Sequence, residues 1–281
     1  MNRIYKVIWS AVRNTYVAVA ETTHAHGKAH STKQQIFAAL AAGVLVVGGM
    51  SSSAYAAGGK VLAGASNNVA SGEASSVSGG LGNKASEKYA SVSGGSINTA
   101  SGEDSSVSGG RSNTASGEAS SVSGGNSNTA SGFGASVSGG SNNTASEGDA
   151  SVSGGSGNKA SGFHASVSGG NSNTASGQDS SVSGGSSNKA SGLHASVSGG
   201  SNNTASEDDA SVSGGSSNTA SGIGASVSGG SNNTALKAWS SISGGSNNTA
   251  SGFYSSVKYS LQGTTQGRYL TGGVPPVRFS M

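Results

Sequence analysis

From Ser76 to Ser256 the chain repeats one fifteen-residue sentence, Ser-Val-Ser-Gly-Gly-x-x-Asn-Thr/Lys-Ala-Ser-Gly-x-x-Ala/Ser, with no residue inserted or deleted. The aliphatic mark stands at Val77, Val92, Val107 and onward to Ile242 and Val257. At the same period an Asn mark runs from Asn68 to Asn248, and an Ala mark from Ala70 to Ala250. A short period without slippage specifies stacked coils, each templated by its neighbour. Such a chain reads as a structural or interaction protein before it reads as an enzyme.

Composition sharpens this. Only 32% of the 281 residues are hydrophobic and 49 are Gly, too poor a mixture for an ordinary globular core. A flexible Gly/Ser linker has a similar composition, but a linker has no reason to hold Val, Asn and Ala in register. The absence of Cys excludes a disulfide scaffold and thiolate metal sites. Residues 1–56 hold five basic side chains (Arg3, Lys6, Arg13, Lys28, Lys33) against Glu21 alone, a balance of +4. The remaining 10 basic and 11 acidic residues give −1, so the repeats offer no basic face for nucleic acid.

Ile36 to Met50 is an uncharged apolar run, preceded by basic residues and followed by Ser51-Ser52-Ser53-Ala54-Tyr55-Ala56. That order is a secretion signal, expected to be helical, with Ala54 and Ala56 as the small residues and the cut expected between Ala56 and Ala57. The apolar run is too short to span a bilayer. Ahead of it, Asn2-Arg3-Ile4-Tyr5-Lys6-Val7-Ile8-Trp9, Val17-Ala18-Val19-Ala20-Glu21 and Gly27-Lys28 resemble the extended signal peptide region of Gram-negative autotransporters. Tyr16 stands where that family usually has Trp. The resemblance covers about the first 28 residues and implies export, so His24, His26 and His30 belong to a segment that is removed.

Within each coil two extended pieces, such as Ser76-Val77-Ser78 and Thr99-Ala100-Ser101, alternate with two turns. Gly79-Gly80 supplies the first turn, because glycine reaches positive φ without a steric penalty. The second begins at Gly102 and its equivalents, a position that Glu87, Glu147, Glu207 and Lys237 also occupy. Strand alternation points Val77 inward and Ser76 and Ser78 outward. Residue i is expected to pair in parallel with residue i+15, and the Asn rank to form a ladder that satisfies itself or the turn backbone. One Val and one Ala per coil bury too little apolar surface to offset the ordering of fifteen residues, so several chains packed with cyclic symmetry are expected.

The repeat sentence is also similar to the head repeat of YadA-like trimeric autotransporter adhesins. Val77 matches the first buried aliphatic of that motif, Gly79 stands where many members have a second one, and Ala100 and Gly102 match the second strand. The similarity runs from Leu62, in a degenerate first coil, to about Val257. It implies a left-handed parallel β-roll with three chains per head and adhesion to host-cell or extracellular-matrix surfaces or to other bacterial cells. The expected fold is therefore all-β: a parallel β-roll or solenoid of about 13–14 coils over residues 57–257, two short strands per coil. The signal occupies residues 1–56. After Val257 the period fails, and residues 258–281 show neither heptads nor alternating barrel strands, so an anchor of the chain's own is not expected there. The chain is expected at the cell surface or outer membrane, or released.

A second period overlies the first. The two variable residues of the second turn read Phe133-Gly134, Phe163-His164, Leu193-His194, Ile223-Gly224 and Phe253-Tyr254 at thirty-residue intervals, with Gly148-Asp149, Gln178-Asp179, Asp208-Asp209 and Ala238-Trp239 between them. Phe133, Phe163, His164, Leu193, His194, Ile223, Trp239, Phe253 and Tyr254 are the candidate adhesive residues. Duplication of a thirty-residue unit, with the apolar side chain covering a neighbouring chain, produces the same pattern. His164 and His194 are two coils apart, roughly 10 Å, too far to share one metal. No Ser has a fixed His/Asp partner, no phosphate loop follows Gly79-Gly80, and no calcium-binding repeat occurs. Neither catalysis nor a cofactor or metal is expected.

Overall fold

The computed structural model describes residues 5–10, 15–20, 55–56, 59–61 and 67–258. The chain divides into two units, Met1–Ala41 and Ala42–Met281.

In the first unit β1 (Tyr5–Ser10) pairs antiparallel with β2 (Thr15–Ala20), from Tyr5 against Ala20 to Ser10 against Thr15. The expectation of a helical signal is not met in these segments. Tyr-Lys-Val-Ile-Trp-Ser and Thr-Tyr-Val-Ala-Val-Ala are dense in β-branched and aromatic residues, which favour extended backbone. The apolar run 36–50 lies outside the described residues.

The second unit is a parallel β-solenoid. It opens with β3 (Tyr55–Ala56), β4 (Lys60–Val61), β5 (Val69–Ala70) and β6 (Ser76–Val77), and continues in two-residue strands to β29 (Thr249–Ala250) and β30 (Ser256–Val257). The odd-numbered strands from β3 form one 14-stranded sheet and the even-numbered strands from β4 the other. Ser106 pairs with Ser121 and Val107 with Val122, and Thr114 pairs with Thr129 and Ala115 with Ala130. The i to i+15 register expected from the repeat holds from β5 and β6 onward.

The first coil corrects the sequence reading. Val61, not Leu62, comes into line with Val77, and Ala56 with Ala70. From Ala56 to Val61 there are two residues fewer than from Ala70 to Val77, and from Val61 to Ala70 one more than from Val77 to Ala85. The register is kept by the pairing rather than by the count. Ala56, the last residue of the expected signal, thus lies in a sheet strand, while Ala54 and Ala57 fall outside the described residues.

The core is one continuous column of small side chains. Val77 and its equivalents from one sheet meet Ala85 and its equivalents from the other, all essentially solvent-free. Ser76 is half-buried and Ser78 exposed, as alternation requires. Two further ranks are buried. One is the Asn mark, Asn68 to Asn248. The other is the last position of the repeat, where Ala90, Ala135, Ala150 and Ala165 interchange with Ser105, Ser120 and Ser180. Such a Ser is tolerated inside because its hydroxyl donates to the carbonyl of its own turn, Ser105 to Gly102 at 2.6 Å and Ser120 to Gly117 at 2.7 Å. The interior therefore has four buried side chains per coil rather than two.

The Asn ladder binds the turn backbone rather than pairing amide with amide. The Asn113 backbone N–H donates to Asn98 Oδ1 at 2.9 Å, and Asn113 Nδ2 donates to Gly109 O at 2.9 Å and to Gly125 O at 3.0 Å. The side chain thereby stitches its own coil to the following one, and the backbone N–H of the same residue ties it to the preceding one. Backbone bonds join coils around the whole perimeter, among them Ser91 to Ser105, Ser96 to Gly110 and Asp104 to Lys88. The two glycines of the first turn differ in role. Gly80 has φ of +84°, and a side chain on it would run into the Gly95 carbonyl and Asn83 Nδ2. A side chain on Gly79 would project into open space.

Candidate functional site

The two variable residues of each second turn lie on one edge. The second of the pair always adopts the left-handed region: Asp149 (φ 53°), His164 (55°), Asp179 (55°), His194 (56°) and Asp209 (56°), and even Trp239 (61°) and Tyr254 (58°). Asp, Asn, His and Gly are the residues that enter this region at least cost, so the turn itself selects the Asp and His of the column. That preference was readable in the sequence as the recurrence of Asp, His and Gly at one position.

The first of the pair forms an apolar row. Phe133 is 59% exposed, Phe163 47%, Ile223 48% and Phe253 47%. Leu193 is half-buried. Trp239 and Tyr254 are exposed in the adjacent column. The spacing of two coils puts successive members of the row about 10 Å apart. Part of each ring is used within the chain. Gly148 is buried beneath Phe163, and a β-carbon there would meet the ring; a β-carbon on half-buried Gly224 would likewise meet the Trp239 ring. The small residue of one coil makes room for the aromatic of the next, which explains part of the thirty-residue alternation.

Between the apolar members runs a feature missed by sequence reading. His164 and His194 are two coils apart, but Asp179 lies between them, and Asp149 and Asp209 flank the pair. His164 Nδ1 is 3.0 Å from Asp179 Oδ1, and His194 Nδ1 is 3.4 Å from Asp209 Oδ1. An ionised carboxylate only accepts, so Nδ1 of His164 carries the proton in the short contact. The outer nitrogens are left longer, His164 Nε2 at 3.7 Å from Asp149 and His194 Nε2 at 3.8 Å from Asp179. The hydrogen bond from His164, and next that from Gln178 at 3.1 Å, holds the Asp179 carboxyl below the usual carboxylate range. The His164 ring also leans on Phe163, with centroids 4.1 Å apart. The signal for this row was the coil register itself: column partners fifteen residues apart touch, so Asp-x14-His-x14-Asp is a contact pattern. Among the described residues no group of three or more His, Asp or Glu is placed to hold a metal ion.

The edge offers contacts of three chemical kinds. It combines apolar rings, carboxylates and imidazoles on a rigid ruler with a spacing of about 4.8 Å per coil.

A comparison with curated proteins finds no match. Residues 1–50 match the family model described as Extended Signal Peptide of Type V secretion system. The segment marks the chain as a substrate of type V export. The chain thus joins a type V signal extension to a parallel β-solenoid of fifteen-residue coils, an arrangement consistent with a YadA-like head.

Proposed function

We propose that the solenoid is the adhesive head of an exported surface protein, which uses its second-turn edge to bind host-cell or extracellular-matrix surfaces or other bacterial cells. The observation that carries this reading is the row Phe133, Phe163, Ile223 and Phe253, which keeps about half of each apolar residue in water on repeats rich in Ser, Gly and Asn. Weak contacts repeated along a stiff ladder add as avidity, so no single residue has to bind tightly. Binding, not catalysis, is the activity proposed, at the outer surface of the producing cell or after release. Assembly as a homotrimer belongs to the same reading, since side-by-side chains bury apolar surface that one thin stack leaves in water.

The test replaces Phe133, Phe163 and Phe253 by Ser. Loss of cell and matrix binding with unchanged circular dichroism and unchanged mass is expected. Unchanged binding with intact assembly contradicts the adhesive row. For the assembly, a solution mass of three chains is expected, and a folded monomer contradicts it. A second reading, a surface spacer without a ligand, is favoured by Phe163 over Gly148 and Trp239 over Gly224, where the rings already serve intrachain packing.

A further inference from the structure

The imidazoles and carboxylates of the second-turn column are spaced unevenly. Nδ1 of His164 and of His194 closes on the carboxylate of the following coil, at 3.0 Å from Asp179 and 3.4 Å from Asp209. The other two gaps stay open. His164 Nε2 lies 3.7 Å from Asp149 Oδ2, and His194 Nε2 lies 3.8 Å from Asp179 Oδ2. With the proton on Nδ1, Nε2 carries a lone pair, so two acceptors face each other across each open gap. These gaps are too wide for a direct hydrogen bond. They are too narrow for a bridging water, whose two bonds of about 2.8 Å span about 4.5 Å. Among the described residues no Lys or Arg pairs with Asp149, Asp179 or Asp209. Two facing acceptors at this separation are joined favourably by a cation bonded to both.

We propose that Asp149 with His164, and Asp179 with His194, form two sites for a divalent transition-metal ion of the Zn²⁺ or Cu²⁺ class, each held by one carboxylate oxygen and one imidazole Nε2. Bonds of about 2.0–2.2 Å from such an ion span about 3.4 Å at the tetrahedral angle and about 4 Å in line, so the open gaps already have the required width. Imidazole beside carboxylate suits these ions, whereas Ca²⁺ and Mg²⁺ take oxygen donors. The closed gaps supply the support such ligands need. A carboxylate that accepts from Nδ1–H fixes the tautomer that frees Nε2 and raises its basicity. The Phe163 ring, with its centroid 4.1 Å from that of His164, backs the first imidazole. Asp179 serves both sites: Oδ1 accepts from His164, while Oδ2 faces His194 and also accepts from Gln178 at 3.1 Å. Among the described residues no three such side chains converge, so each ion keeps coordination positions open to water or to a donor group of a second molecule. The sites recur at the thirty-residue interval, about 10 Å apart. They stand independently of the adhesive row.

The test titrates the full chain in its exported form with zinc chloride at neutral pH, read by isothermal calorimetry. Once residues 1–56 are removed, His164 and His194 are the only imidazoles of the chain. The parent is expected to take up two ions per chain, with dissociation constants tighter than about 1 mM. Asp149→Asn and His194→Asn are each expected to take up one ion, and the two substitutions together none. Asp104→Asn removes a carboxylate of the same column whose neighbours at fifteen residues are Tyr89 and Ala119, and it is expected to keep both ions. Asn enters the left-handed region of this position at low cost, so every variant is expected to keep the parental circular dichroism. A parent with no saturable uptake below about 1 mM overturns the sites. So does a double variant that binds like the parent, or a single substitution that abolishes both ions. The Phe133, Phe163 and Phe253 test of the adhesive row is decided separately from all of these outcomes.

Discussion

The backbone N–H of Asn98 donates to the side-chain Oδ1 of Asn83 at 2.9 Å, although fifteen residues separate them in sequence. This contact, repeated at every coil, ties a buried polar rank to the stack rather than leaving it as a liability. In mid-stack, Asn158 accepts from the Asn173 N–H and donates to Gly154 O and Gly170 O. Asn158→Ala is therefore expected to cost about 3–5 kcal/mol, from three hydrogen bonds and the buried groups orphaned with them. Among the described residues the Asn248 side chain donates only to Gly244 O, and its Oδ1 has no partner. Asn248→Ala is expected to cost about 1 kcal/mol. Denaturant unfolding of the two variants measures the difference, and equal costs would refute the ladder as the source.

The two glycines of the first turn are predicted to respond in opposite directions. Gly140 has φ of +84°, with the Gly155 carbonyl where a side chain would go, so Gly140→Ala is expected to lose about 2 kcal/mol or more. Gly139 faces open space, and Gly139→Ala is expected to be neutral or to gain about 0.5 kcal/mol by stiffening the unfolded chain. Melting temperatures of the pair, compared in one buffer, check the sign of each.

A misfit of the interior is also testable. Where Glu87, Glu147 and Glu207 replace the turn glycine, the buried residue three positions on is Ala90, Ala150 or Ala210. Lys237 is followed instead by Ser240, whose buried hydroxyl has no partner. Ser240→Ala is expected to stabilise by about 1 kcal/mol, whereas Ser120→Ala, which removes the 2.7 Å bond to Gly117 O, is expected to gain nothing or to lose stability.

The Asp179 carboxyl has a lowered pKa, chiefly through His164. A carboxyl depressed in the folded state binds its proton more readily when unfolded, so its contribution is present above the unfolded value and fades as pH falls through the folded one. The stability difference between the parent and Asp179→Asn is expected to be present above about pH 4 and to fade only as the pH falls further, through the lowered folded value. A difference that grows on acidification would contradict the assignment. Because the group is exposed, the effect is expected to be small and weakened by salt.

Most of the stack was legible because the repeat fixes both register and facing. Val77 inward, Ser76 outward and i beside i+15 follow from periodicity alone. The first coil was misaligned by one residue, since Val61 and Leu62 are both aliphatic and only backbone pairing distinguishes them. The Ala/Ser rank escaped notice because serine in a poor core looks like surface until its hydroxyl is seen to return to its own turn. The Asp/His row was missed for a different reason: the histidines were weighed against each other, while their partners lay one coil away on either side.

The central claim is that every fifteen residues advance the chain by one strand spacing. The chain has no native Cys, and Gly94 and Gly184 both lie at the open position of the first turn, six coils apart. Spin labels on Gly94→Cys and Gly184→Cys are expected to give one narrow distance, about 29 Å between the backbones they mark, six spacings of about 4.8 Å. A broad distribution, or a separation that does not grow by one spacing for each fifteen residues added between the labels, would contradict the stacked-coil account.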